Sequence, residues 1–336
     1  MIYRWSVPSL SPAIAEIRLA VRTALADLPE GSTVVVGVSG GADSLALAAA
    51  TAFEAAKRGV RATAVTVDHG LQQGSAEVAA ETARIAGQLG LEALVVRVEV
   101  DGDGGPEAAA RDARYRVLRD AAGDIGARAV LLGHTLDDQA ETVLLGLARG
   151  SGATSLQGMA PDREDDHGLR WLRPLLGVRR ETTRAFCAAT ELQPWEDPHN
   201  TDDRYTRVRV RHHVLPVLET QLGPGIAEAL ARTAEQLRED AEAFDEMIHE
   251  TIEDIVEHAE AGISVSVAAL AANPAALRNR IIRLVVDSEF GASLSRAQTI
   301  EVARLVTDWS GQGPIDLPGC AAVRQGGRIV FTAATR

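Results

Sequence analysis

Four apolar, β-branched runs set the main constraint on this chain: Thr33–Val38 (TVVVGV), Ala62–Val67 (ATAVTV), Ala93–Val98 (ALVVRV) and Ala129–Leu132 (AVLL). None alternates with polar residues as a half-exposed strand would, so each reads as a buried strand of a parallel sheet. Between them lie Ser44–Arg58, Ser75–Leu89 and Pro106–Ala122, each long enough for a crossover helix. The order predicts an α/β fold, a doubly wound and mainly parallel sheet. In such a sheet the C-terminal strand ends share one edge, and ligands bind there. The residues that follow each run are therefore the ones that carry chemistry.

The first run leads into Ser39-Gly40-Gly41-Ala42-Asp43-Ser44 and then a helical LALAAATAF. Two glycines let the backbone approach an anion, and a helix start turns free N–H groups and its positive end toward it. Asp43 repels a bare phosphate, which suggests that it holds Mg²⁺ against phosphate oxygens; capping the helix is the plainer alternative. The second run ends in Val67-Asp68-His69-Gly70-Leu71, which puts His69 on the same edge. The fourth opens into Gly133-His134-Thr135-Leu136-Asp137-Asp138-Gln139-Ala140-Glu141-Thr142. Asp137, Asp138 and Glu141 share a helical face beside His134, as a metal or ammonium site would require. Acids in a first turn also complement the helix dipole, so capping stays open here too. Arg111 and Arg114 lie on one helical face and can reach a phosphate or carboxylate, although Glu107 and Arg111 also make an ordinary i,i+4 pair. Arg204, Arg207, Arg209 and Arg211 fall within eight residues that contain no acid. That density suits a phosphate track or a solvated face.

A formal charge of −13 argues against a nucleic-acid binder, but twelve acids and only two arginines lie between Glu228 and Glu260. The acidity is thus largely one stretch and does not decide the question. Lys57 is the only lysine and lies in no phosphate loop, which excludes a Walker-type loop and a Schiff-base enzyme. Cys187 and Cys320 are far apart and form neither a disulfide framework nor a metal-ligand pair. No apolar run approaches a membrane span, and the first twenty residues make a poor secretory signal, so a cytoplasmic location is expected. Pro161–His167 and Pro194–Asp203 read as polar loops, and Asp101–Gly105 as a tight turn before a helix starting at Pro106. After the Gly223-Pro224-Gly225 breaker, Ile226–Glu260 and Val265–Trp309 read as helical, and Ile315–Thr332 as short strands. The expected domains are 1–218, which carries these loops, and 219–336, smaller and mainly helical.

Together SGGADS, VDHGL, EAAARDARY, GHTLDDQAET, RGSGATSLQGM, RPLL and EDPHNTDDRYTRVRVRHHVLP resemble the tRNA(Ile)-lysidine synthetases, within the PP-loop ATP pyrophosphatases, over roughly residues 30 to 220. LRNRIIR and IDLPGCAAVRQGGRIVF resemble the smaller following domain of that family. The resemblance implies an adenine nucleotide alpha hydrolase-like fold, a catalytic ATP-binding domain over 1–218 and a substrate- or tRNA-binding domain over 219–336. It also implies the substrates ATP, free L-lysine and an isoleucine tRNA with a CAU anticodon. The implied reaction adenylates the C2 oxygen of the wobble cytidine. The lysine ε-amine then attacks C2 and displaces AMP. On this reading Ser39, Gly40, Gly41, Ala42, Asp43, Ser44 and His69 bind the nucleotide, and Asp43 and Asp138 hold Mg²⁺. Asp137 and Glu141 bind lysine, with Asp138 as a further ligand. His134, Arg111 and Arg114 stabilise the adenylate, and Arg204, Arg207, Arg209 and Arg211 hold tRNA. Val208 stands where a polar residue is expected in an RNR-like triplet, and Gln72 where an arginine is common. The alternatives are a PP-loop tRNA thiolase, which needs a reactive cysteine, a small-molecule amidating ligase, and a non-enzymatic nucleotide-binding module. Oligomeric state is left open, a homodimer included.

Overall fold

Helix α1 (Pro12–Ala24) starts on a proline, whose missing N–H is no loss in a first turn, and buries Ile17 and Val21. β1 (Thr33–Gly37) has Val34, Val35 and Val36 fully buried. α2 (Ala42–Lys57) is alanine-rich, as a helix packed closely on a sheet favours. β2 (Arg61–Asp68), α3 (Ser75–Gln88), β3 (Glu92–Arg97), α4 (Pro106–Asp124) and β4 (Ala129–Leu131) follow in the alternation expected. Next come α5 (Leu136–Ala148), α6 (Ala153–Leu156), β5 (Asp162–Glu164), β6 (Arg170–Leu172) and α7 (Arg180–Ala189). The computed structural model describes residues 11–70, 74–98, 106–150, 152–259 and 262–334. The expected turn Asp101–Gly105 and the Gln72 position lie outside the described residues, as does the Glu107 side chain.

The six strands order β3-β2-β1-β4-β6-β5. All neighbours are parallel except β5, which runs antiparallel to β6. The stretch expected as a polar loop at Pro161–His167 therefore contains an edge strand. All three β5 residues are exposed, so the strand has no apolar face to betray it. One core lies between the sheet and α1, α2 and α7, with Leu45, Leu47 and Leu175 fully buried. On the other face α4 contributes Val117 and Leu118 to a core with Val35, Val130 and Trp171.

The chain divides into two compact units, the division falling after Leu237. The first unit closes with α8 (Thr206–Arg209), a π-helical turn over Val210–Val214, and α9 (Leu215–Leu222). α10 (Ile226–Ile255) starts after the Gly-Pro-Gly break and carries the division. In the second unit β7 (Val256–Ala259) and β8 (Gly262–Ser266) are followed by α11 (Val267–Ala272), α12 (Ala275–Phe290) and α13 (Arg296–Thr307). β9 (Ile315–Leu317), β10 (Cys320–Gln325) and β11 (Arg328–Ala333) complete an antiparallel sheet in the order β7-β8-β11-β10-β9. β7 occupies the end of a run expected to be helical, because a four-residue edge strand carries too short a period-2 signal to interrupt a thirty-residue helix pattern. Phe331, Val265, Leu270 and Ile282 centre this unit's core. Among the described residues no helix is long and apolar enough to cross a membrane.

Candidate active site

β1 lies between β2 and β4, so the crossovers diverge on either side of it and a crevice opens at the carboxyl ends of β1 and β4. The SGGADS loop follows β1 and the GHTLDD loop follows β4. They are pressed together: a Cβ on Gly133 would stand 3.2 Å from the Asp43 carbonyl and from Ser44 Cα. Gly40 has φ +86°, and a Cβ there would meet Thr82 Oγ1 at 2.6 Å, so this position requires glycine. Ser44 closes the loop on itself. Its hydroxyl donates to the Gly41 carbonyl (3.0 Å) and accepts from the Ser39 N–H (3.1 Å). The first-turn amides of α2 have no intrahelical acceptor, which makes this start an anion site. A hollow of about 500 Å³ lies at the opposite edge, against the starts of β1, β2 and β3, away from these groups.

Behind the loop, α7 supplies partners for Asp43. Thr183 donates its hydroxyl to Asp43, and Arg180 Nε stands 3.6 Å from the other carboxylate oxygen. Burial nevertheless raises the Asp43 pKa above the usual carboxylate range, since the hydroxyl and Arg180 compensate only in part. Asp138 has a double role. One oxygen accepts from the N–H and hydroxyl of Thr135 at 2.8 and 3.0 Å, capping α5, and the other faces Arg180 Nη2 at 2.7 Å. Burial alone would raise its pKa, but Arg180, the Thr135 amide and Arg211 hold it below the usual range. Asp137 accepts from the Arg180 backbone N–H at 2.7 Å, so α5 caps the start of α7. Glu141 is 0% exposed and faces Arg180 (3.3 Å), Arg207 (3.3 Å) and Arg211 (2.7 Å). Asp138 lies near enough to Asp43 that its charge adds to the rise in the Asp43 pKa. Such a pair of hard oxygen donors suits Mg²⁺, which takes one or two carboxylates and keeps its remaining positions for phosphate and water. Among the described residues no group of three or more His, Cys, Asp and Glu is arranged around a metal position.

On the α4 side the groups are cationic or neutral. Burial lowers the His69 pKa, and Arg114 lowers it further. Burial pushes His134 down to about 3 against the pull of Asp138, with Arg114, Arg173 and Arg111 adding to the shift. Both imidazoles are therefore neutral at physiological pH, and each has a buried Nδ1 without a hydrogen-bond partner. Arg111 and Arg114 approach the Tyr115 ring, which stacks on Trp171 with centroids 4.8 Å apart.

The arginine run divides in two. Arg204 is 82% exposed and pairs with Asp202; Arg209 is exposed and donates to the Asp203 and Arg204 carbonyls. Arg207 and Arg211 instead turn inward onto the α5 acids. A single solvated track of four is thus not the arrangement observed. Four-residue spacing carries Arg207 and Arg211 to α5, while between them Arg209 faces water and Val208 and Val210 are buried.

A PP-loop domain model matches residues 15–218, and a model for the TilS substrate binding domain matches residues 266–330. A tRNA(Ile)-lysidine synthase of Leifsonia xyli subsp. xyli is 61% identical, the match covering 90% of this chain and 91% of that one. Those of Salinispora tropica and Thermobifida fusca are 52% and 50% identical, each match covering 96% of this chain and 97% and 98% of theirs. The chain belongs to the tRNA(Ile)-lysidine synthases. It is an ATP-dependent ligase of the PP-loop type. Among solved structures, the U34-tRNA thiolase NcsA of Methanococcus maripaludis, described with its [4Fe-4S] cluster, is 20% identical with a TM-score of 0.58. That match covers 68% of this chain and 79% of the thiolase, and it speaks for the fold alone.

Around this candidate site the sequence points to the loops that converge but not to α7. Arg180 and Thr183 make the contacts to Asp43, and Arg180 ties Asp43, Asp138 and Glu141 together. One signal was available: Arg179 and Arg180 stand at a helix start, where positive charge opposes the dipole, and such a placement asks for nearby acids. Arg173, 7% exposed, was also missed, because it lies within the apolar RPLL stretch.

Proposed function

We propose that this protein ligates free L-lysine to C2 of the wobble cytidine in an isoleucine tRNA with a CAU anticodon, with ATP converted to AMP and pyrophosphate. The observation that carries this reading is the meeting, at one switch point, of an anion-binding helix start and a buried carboxylate–guanidinium set. In the first step the cytidine C2 oxygen attacks the α-phosphorus of ATP and pyrophosphate leaves. The amides at the head of α2 and the Ser39–Ser44 loop hold the departing anion. Asp43 and Asp138 would hold Mg²⁺, which supplies charge neutralisation on the phosphates. In the second step the lysine ε-amine, once deprotonated, attacks C2, the C2–oxygen bond breaks, and AMP departs with the electron pair.

The α5 acids give the lysine ammonium groups a negative surrounding. Asp137 and Asp138 are the approachable carboxylates. Glu141 receives an ammonium only if Arg207 or Arg211 yields its place, so its first role is to anchor those two arginines. Neutral His134 donates to an anionic oxygen without a charge of its own, and Arg111 and Arg114 offer guanidiniums to the anionic groups of the substrates. Arg204 and Arg209 meet tRNA phosphates. The test is incorporation of labelled lysine into tRNA transcripts with analysis of the nucleotide products. AMP and pyrophosphate should form only with lysine and the CAU isoleucine transcript together with ATP. ADP as product, or sulfur transfer independent of lysine, would sink the reading.

A further inference from the structure

Three guanidiniums surround Tyr115. Arg111 Cζ lies 5.2 Å and Arg114 Cζ 6.0 Å from its ring centroid, and Arg173 Nη2 is 3.5 Å from its hydroxyl. Arg173 is more than nine-tenths buried and uses Nη1 to donate to the Ala160 carbonyl at 2.8 Å. Its Nε, the Arg114 Nε and His134 Nδ1 are all buried without a hydrogen-bond partner. Asp138, the acid that acts on Arg114, is already held by Arg180 and Arg211. Buried unpaired guanidinium donors are costly, and two of them beside an unpartnered imidazole nitrogen in a cationic surrounding describe the empty half of an anion contact.

The depth of Arg173 excludes the tRNA backbone, and the triphosphate has the head of α2. Lysine brings one more anion, its α-carboxylate, which the acids of α5 would repel. We propose that Arg111, Arg114 and Arg173 form the pocket for the α-carboxylate of the substrate lysine, and that Arg173 is the residue that separates lysine from amines lacking that group. The inference rests on the lysine-ligation reading above. It gives the crevice two ends of opposite charge, acids for the amines and guanidiniums for the carboxylate, adjoining at Asp138 and His134.

The experiment compares lysine with 1,5-diaminopentane, which is lysine without its carboxylate, for the full-length protein with Mg-ATP and the CAU transcript. Wild type should use lysine far better than the diamine. Arg173→Gln should raise the lysine KM by about 10- to 100-fold, leave diamine use and the ATP KM unchanged, and so erase most of the preference. Arg173→Lys should restore part of it. If Arg173→Gln does not fold, as judged by its melting temperature, Arg173→Met, whose long apolar side chain keeps the packing, carries the same comparison. Equal losses for lysine and the diamine, or a wild type without preference, would overturn the pocket and leave Arg173 a packing residue. A raised ATP KM with an unmoved lysine KM would overturn it in favour of a phosphoryl group. A wild type that transfers no lysine at all would instead overturn the proposed function.

Discussion

Asp43 lies in surroundings that favour its neutral form, and burial outweighs the help of Thr183 and Arg180. A carboxylate kept under that strain is predisposed to take a further cation. Asp43→Asn should lower turnover by about 10²-fold or more, because charge on departing pyrophosphate is then less neutralised. Its thermal stability should be unchanged or slightly higher, since a poorly compensated charge is gone. Turnover close to wild type at saturating Mg²⁺ would show that Asp43 serves only the loop. Cys187 makes the opposite case. It sits on α7 with its thiol 3.5 Å from the Ala42 carbonyl, and burial, with Asp43 nearby, pushes its pKa up to about 11. At pH 8 its thiolate fraction is roughly one in a thousand. A disulfide-exchange reagent should leave it unmodified in the native protein and label it in denaturant, and Cys187→Ala should still ligate lysine. Rapid native labelling, or loss of turnover in that variant, would reopen sulfur chemistry. The sequence pointed to Asp43 through the full SGGADS string at the end of a buried strand, since glycines and an acid alone serve a helix cap equally well. Thr183 was invisible, because one hydroxyl in a distant helix carries no pattern.

At the scale of elements, Arg211 faces inward from the π-helical turn Val210–Val214, and Arg207 from α8 before it. π turns widen a helix by one residue and recur at functional sites. Here the turn follows α8 and carries Arg211 to Glu141, while Arg204 and Arg209 stay outside. The two sets should respond differently to substitution. Arg204→Ala and Arg209→Ala should each shallow the log–log salt dependence of tRNA binding by roughly one unit, equally for correct and incorrect tRNAs. Arg211→Ala should leave that slope alone and impair turnover and stability, because Glu141 loses a buried partner. Salt titrations of the three variants separate these outcomes; an unchanged slope in both outer variants would remove the phosphate contacts. The central strands and crossover helices were legible because each buries a whole apolar run. β5 and β7 were not, because short edge strands bury little and resemble their polar surroundings. The π turn was equally hidden, since it differs from an α-helix by one hydrogen-bond register, not by residue type.

At the scale of the whole molecule, each unit has its own core, and the family models fall one in each unit. Phe331 is 0% exposed among the second unit's core residues. Phe331→Ala should cost that unit about 3–5 kcal/mol, visible as an early melting transition. ATP binding should persist while tRNA affinity falls. Loss of ATP binding in step with that transition would show that the units do not act separately. The charged groups that line the crevice have a final consequence. Its cations, Arg111, Arg114, Arg173, Arg180, Arg207 and Arg211, are all guanidiniums, and the chain's single lysine, Lys57, lies at the end of α2 against Phe53. A guanidinium stays protonated and does not act as a nucleophile, whereas an amine at the same place would compete for the activated carbon. On the proposed reaction, these cations set no primary amine of the protein beside the activated carbon, so the lysine ε-amine meets no rival side-chain amine there and the protein is protected from modifying itself at one.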